Sequence, residues 1–396
     1  MSTTATDRRV ITLLAITTGV VIANVYYAQP LADALAQAMR VPTGSVGVVL
    51  TLIQLGYAVG LATLVPLGDL VERRRLLAIL LTICVLGLAG MALAPGLAVL
   101  EAAAVLVGAT SVVAQIIVPF AAHLAAPHEQ GRVVSTVMSG LLLGILASRT
   151  VAGLLAELAG WRAVFALGAA ATALVGFLAC RRLPRIEPST TLSYPRLLAS
   201  VLELVRTEPV LRLRMLFGAL AFAAFSTFWA SMGFLLARPP YSWSEAAIGA
   251  FALVGIAGAV MARVAGSLAD RGHAWRTTGA AFLIIAVSFL LMGSGGHNVL
   301  ALVLGVVLLD LGCQGAHISN QGVIYRLRPG AHSRITTAYM TVYFIAGALG
   351  SGLSSVLVYP RFGWTGVCAL GGAFAVFALI VWGAATIMSG TKRIPR

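Results

Sequence analysis

Gly68-Asp-Leu-Val-Glu72-Arg73-Arg-Arg75 returns further along the chain as Gly266-Ser-Leu-Ala-Asp270-Arg271, and this recurrence decides the fold. Around it the two halves agree position by position. Arg132 and Met138 recur as Arg334 and Met340, Pro127 as Pro329, and Gly160-Trp161 as Gly363-Trp364, all at offsets of 198 to 203 residues. Chance supplies one such match, not several in register. The copies hold equivalent places in two six-helix halves of the same orientation, a parallel repeat whose halves can rock against each other in a membrane.

Composition agrees with a membrane protein. The 396 residues are 59% hydrophobic and 10% charged, with a mean hydropathy of +0.96. A soluble domain carries about 25% charged residues, so a soluble globular enzyme is excluded. Apolar runs at about 10–36, 44–67, 75–95, 97–125, 132–157, 161–180, 213–236, 244–269, 276–294, 298–325, 335–358 and 364–388 predict an all-α membrane protein with twelve transmembrane helices. The net charge of +14 lies in loops between these runs, which is a topological pattern and not a nucleic-acid patch. Cys84, Cys180, Cys313 and Cys368 lie in or at the edge of apolar runs and imply no disulfide framework.

Twenty-one cations, among them Arg8, Arg9, Arg73, Arg74, Arg75, Arg132, Arg214 and Arg334, fall on one side, and four, Arg40, Arg162, Arg238 and Arg361, on the other. This imbalance predicts cytoplasmic N- and C-termini in a bacterial cytoplasmic (inner) membrane. Arg8 and Arg9 resemble a signal-peptide flank, but Asn24, Tyr26, Tyr27 and Gln29 interrupt the apolar run, so the first helix is read as retained. The expected organisation is an N-terminal half over 1–183, a cytoplasmic linker over 184–211 and a C-terminal half over 212–396. Leu197, Leu198, Val201, Leu202, Leu204 and Val205 have the spacing of an interfacial helix within that linker.

The loop motif resembles that of the major facilitator superfamily, Gly-x-Leu-Ala-Asp-Arg-x-Gly-Arg-Arg, and the resemblance covers essentially the whole length. Asn24-Val-Tyr-Tyr27-Ala-Gln29-Pro30 and Asp310-Leu-Gly-Cys-Gln314-Gly-Ala-His317-Ile-Ser-Asn320-Gln321 are similar to the bacterial drug, sugar and ribonucleoside efflux branch. The resemblance implies the major facilitator fold, small organic solutes as substrates, proton exchange as the energy source and no cofactor. Two positions depart from the branch: Ala104 stands where it carries Arg in helix 4, and Arg149 replaces the Pro of its helix-5 motif Gly-Pro-x-x-Gly-Gly. An importer or uniporter of sugars or nucleosides is therefore the same-class alternative. A membrane sensor on a transporter scaffold is the alternative of another class.

In the loop motif, Gly68 and Gly266 allow close packing, with Asp69 beside the first. Glu72 and Asp270 can receive Arg73, Arg271 or other loop arginines, or face a helix N-terminus of the other half, forming a conformational gate. The plainer reading is that the arginines only enforce topology. At membrane depth Asp310, Gln314, His317 and Gln321 are spaced by four, three and four residues and fall within about 60° on one helical face, a stripe that lines a cavity or ties helices together. Arg149 and Asp310 lie at similar depth, so a pair between them is expected as a latch, a substrate site or a proton switch. His317 and Gln115 stand 202 residues apart, at equivalent places in the repeat. Asn24, Tyr27 and Gln29 on helix 1, Gln54 on helix 2, Trp229 on helix 7 and Tyr339 and Tyr343 on helix 11 complete an expected substrate and proton pathway. Cys313 and His317 are too few for a metal site. No phosphate-binding loop, HExxH, CxxC or Gly-x-Ser-x-Gly run is present, which argues against ATP drive and against an enzyme. The expected partners are the lipid bilayer and a small organic substrate, with no nucleic acid and no obligate protein partner, the chain acting as a monomer.

Overall fold

The computed structural model describes residues 8–126, 129–184, 193–256, 273–328 and 331–391. Gly266, Asp270 and Arg271, together with Arg263, Pro127 and Pro329, lie outside the described residues. The helices are α1 (Arg8–Ala23), α2 (Ala32–Met39), α3 (Thr43–Thr63), α4 (Arg73–Ala92), α5 (Leu97–Thr110), α6 (Val113–Leu124), α7 (Gln130–Ala159) and α8 (Trp161–Arg182). They continue with α9 (Tyr194–Thr207), α10 (Pro209–Leu236), α11 (Glu245–Phe251), α12 (Ala274–Ser294), α13 (Val299–Ile324), α14 (His332–Gly352) and α15 (Tyr359–Thr391). No strand occurs among the described residues.

Nine helical stretches among the described residues are long and apolar enough to cross a bilayer. The last, His332–Met388, runs for 57 residues, more than twice what one crossing needs, and turns at Gly363. Counting that stretch as two, with the segments that open at Arg8 and Glu245, is consistent with twelve spans. Leu143, Leu158, Leu290, Leu300 and Ile380 are exposed. In a bilayer such residues face lipid while every backbone group is satisfied inside its helix.

The chain groups into two compact units. Unit 1 holds residues 1–40, 52–202 and 244–252. Its core joins Ile11, Leu14 and Val21 of α1, Leu76, Leu77 and Leu80 of α4, and Ile116, Ile117 and Phe120 of α6. Unit 2 holds residues 41–51, 203–243 and 253–396. Its axis is α10, buried along nearly its whole length, including Phe217, Phe228, Trp229 and Phe234. Within the expected linker, α9 buries Leu197 and Leu204, and the Tyr194 hydroxyl donates to the Thr63 carbonyl at 2.9 Å.

The repeat is visible in the backbone. Gly160, between α7 and α8, and Gly363, between the two arms of the last helical stretch, are the positive-φ glycines of the described residues, at φ +82° and +60°. Both are followed by Trp, and both turn one helix into the next where an L side chain would be strained.

Two expectations about helix continuity are corrected. The run 10–36 is not one helix: the backbone leaves helical geometry after Ala23, passes through turns over 24–31 and resumes as α2. Pro30 supplies no N–H and disfavours helix at Gln29, so the helix does not run on through 26–30. The segment opening at Glu245 tightens after Phe251 into a 3-10 turn over Ala252–Ile256.

Candidate functional site

In unit 1 the expected residues separate into three groups. Arg149 is buried and its Nε donates to Gln29 Oε1 at 2.7 Å, with the guanidinium carbon 4.7 Å from the centre of the Tyr26 ring. Gln29 and Tyr26 reach it because they stand on the turns after α1, not on a continued helix. Asn24 points elsewhere: its Nδ2 donates to Thr172 Oγ1 at 3.1 Å and lies 3.6 Å from Cys84 Sγ, tying the end of α1 to α8 and α4. Tyr27 is buried against Gly168 of α8. Gln115 Nε2 donates to the Tyr57 hydroxyl at 3.4 Å, and Gln54 is buried one turn before Tyr57 on α3.

The first loop motif makes several of its hydrogen bonds locally. Glu72 accepts from the backbone N–H groups of Arg74 and Arg75 at 3.1 and 3.2 Å, so it caps its own helix, α4. Arg73 donates from Nε to the Gly68 carbonyl at 3.1 Å, and its Nη2 pairs with Asp69 at 3.5 Å. Arg74 reaches the Leu183 carbonyl at the end of α8. Glu72 caps its own helix, and Arg73 holds Asp69 and the Gly68 carbonyl together.

In unit 2 the stripe on α13 meets a run of rings. The His317 ring lies 5.0 Å from Tyr343, centre to centre, and its Nδ1 is 3.3 Å from the Tyr339 hydroxyl. Tyr343 stacks on Phe222 of α10 at 4.0 Å and 17°. Phe222 stacks on Phe225, which lies 5.9 Å from Trp229. Asp310 is buried near the Trp229 end of this wall: a Cβ built on Gly255 would meet Asp310 Oδ2 at 2.6 Å and the Trp229 ring at 3.7 Å. Gln314 and Gln321 stay partly exposed on the same helix. Arg149 belongs to unit 1 and Asp310 to unit 2.

Three features escape the sequence reading. Phe222 and Phe225 join Trp229, already expected in the pathway, on one face of α10 at spacings of three and four, a signal that periodicity contains. Tyr26 faces Arg149 only because the backbone turns there. Arg214, counted among the loop cations, is buried inside α10 and donates from Nη1 to Thr278 Oγ1 at 2.9 Å and Asn320 Oδ1 at 3.3 Å. Among the described residues no three His, Cys, Asp or Glu side chains gather as metal ligands would. A cavity of about 300 Å3 lined by Arg8, Ile11, Thr12, Arg132, Val133 and Thr136 contains none of the expected site residues.

The chain is 48% identical over 372 residues to the uncharacterized transporter YgaY of Escherichia coli O157:H7, covering 94% of each chain. It is 34% identical over 373 residues to a Streptomyces coelicolor protein named probable transporter SCO4007, covering 94% of this chain and 86% of that one. Its fold matches the crystal structure of a bacterial homologue of the human lysosomal transporter Spinster with a TM-score of 0.75 at 14% identity, over 97% of this chain and 98% of that one. Residues 14–351 match the family model of the Major Facilitator Superfamily, and the chain belongs to that family of membrane transporters.

Proposed function

We propose that this transporter exports small organic solutes across the bacterial cytoplasmic membrane in exchange for protons, by alternating access, as a monomer with both termini in the cytoplasm. The observation that carries the reading is the wall in unit 2, where the rings of Phe222, Phe225, Trp229, Tyr339 and Tyr343 stand beside the polar stripe of α13. Such a surface suits a solute with an aromatic or apolar body and a few polar groups, since rings bind it by stacking while His317 and Gln314 fix its orientation.

Asp310 is the acid at the end of that wall and the group assigned to carry the proton. A carboxylate at membrane depth is costly when charged, so solute and proton can compete for the environment that stabilises it. The test is efflux of a panel of drugs, sugars and nucleosides from cells overproducing the protein, with and without a protonophore, against Asp310→Asn. Protonophore-sensitive efflux that Asp310→Asn abolishes supports the reading. Efflux with an unchanged pH profile in Asp310→Asn removes Asp310 from coupling. No difference from empty-vector cells for any compound removes the export reading.

A further inference from the structure

Arg214 presents a buried cation whose hydrogen-bond partners are all neutral. It is 5% exposed, its Nη1 donates to Thr278 and Asn320, and its guanidinium carbon lies 5.3 Å from the centre of the Trp275 ring. No carboxylate pairs with it among the described residues. Both hydrogen bonds leave from one terminal nitrogen, so the edge formed by Nε and Nη2 makes no hydrogen bond to the described residues. Asn320, fully buried, accepts from Arg214 at Oδ1 and lies beside the Tyr339 hydroxyl. A guanidinium withdrawn from water is costly unless an anion meets it, and its planar edge matches a carboxylate in two parallel hydrogen bonds.

The cluster is continuous with the aromatic wall. Gly218, one turn beyond Arg214 on α10, lies against Tyr339, whose hydroxyl a Cβ there would meet at 2.5 Å, and that hydroxyl faces His317 at 3.3 Å. From there the rings of Tyr343, Phe222, Phe225 and Trp229 follow in contact. We infer that Arg214, with Asn320 beside it, is a subsite for a carboxylate, and that the solutes of this transporter are amphipathic organic acids whose ring lies on the wall of α10 and α14 and whose acid group meets Arg214. This inference rests on the transport reading above and names the solute class for the same site. Neutral drugs and uncharged sugars then fit the wall but leave the Arg214 edge unmet.

The test uses the full chain in lipid nanodiscs and equilibrium dialysis with 1-naphthaleneacetate and its neutral isostere 1-naphthaleneacetamide. The wild-type protein is expected to hold the acid about tenfold or more tighter than the amide. Arg214→Gln is expected to bring the acid down to the affinity of the amide while leaving the amide unchanged, and Arg214→Lys to retain part of the preference. Equal binding of acid and amide by the wild type, binding of neither, or an undiminished acid preference in Arg214→Gln overturns the inference. If Arg214→Gln does not fold, the wild-type ratio decides alone. Acid preference without any protonophore-sensitive efflux in cells keeps the subsite and removes the transport reading. Efflux of neutral compounds without acid preference does the reverse.

Discussion

Gly249 packs so closely on Gly153 that a Cβ on Gly249 would lie 3.1 Å from Gly153 Cα and 2.5 Å from the Arg149 carbonyl oxygen. The same relation joins their repeat-mates, since Gly47 and Ser355 stand 202 residues from Gly249 and Gly153, and a Cβ on Gly47 would meet Ser355 Oγ at 2.5 Å. Next to the first pair Thr150 donates to the Gly249 carbonyl at 3.0 Å, and next to the second Gly352 lies against Thr51. In each seam a segment from one sequence repeat packs on a helix from the other, and small residues let the backbones approach.

Alternating access requires such seams to part. A disulfide between Thr51→Cys and Gly352→Cys, whose Cβ atoms would stand 3.8 Å apart, in a chain whose native cysteines are replaced, is expected to stop flux on oxidation and to restore it on reduction. Flux measured in proteoliposomes before and after a reductant checks this, and an oxidised protein that transports at the reduced rate removes the seam from the cycle.

Asn24 is expected to matter for stability. Asn24→Ala leaves the Thr172 hydroxyl and the Cys84 thiol without their donor inside unit 1, a loss of about 1–3 kcal/mol for a buried hydrogen-bonded polar group. Thermal unfolding followed by size-exclusion chromatography should show a lower midpoint, with solute affinity per folded molecule unchanged. A wild-type midpoint with lost affinity would place Asn24 in the pathway instead.

The ring wall is expected to discriminate by shape. Tyr343→Ala removes the partner that stacks on Phe222 and faces His317. An aromatic pair is worth about 0.5–1.5 kcal/mol beyond its area, so aromatic solutes should bind about two- to twelvefold more weakly. Aliphatic solutes of equal charge should lose less, and a competition assay between the two classes reads the difference.

Gly160→Ala and Gly363→Ala each force an L side chain into a positive-φ, extended-ψ region that only glycine adopts readily, at a cost of about 1–3 kcal/mol apiece. The two sites share no partner, so the double variant should lose about the sum in chemical unfolding. A loss confined to one variant would show that the two turns are not equivalent.

Much of this architecture is legible in the chain itself. Gly160-Trp161 and Gly363-Trp364 are the same turn, and a glycine forced by backbone geometry leaves its mark in sequence at the repeat spacing. The break after Ala23 is less legible, because apolar composition reports burial and not whether the backbone stays helical. Depth along α10 places Arg214 near a helix end, but only packing against Thr278 and Asn320 shows that it is buried. Glu72 is similar: its residue type suits a gate or a cap, and the direction of its side chain makes it the cap of α4. The polar stripe of α13 follows from spacing alone, whereas its ring partners come from two other helices.

Gly160 also bears on how the chain enters the bilayer. A single residue separates Ala159, the last of α7, from Trp161, the first of α8. A link that short leaves no loop for a protease or an inserted tag to exploit, and it couples the two helices as a hairpin. The direction in which α8 threads is then inherited from α7 and not chosen by its own flanking charge. Arg162, one residue beyond the turn and held over the Trp161 ring with a hydrogen bond to the Ala94 carbonyl, can sit there without pulling the segment the other way.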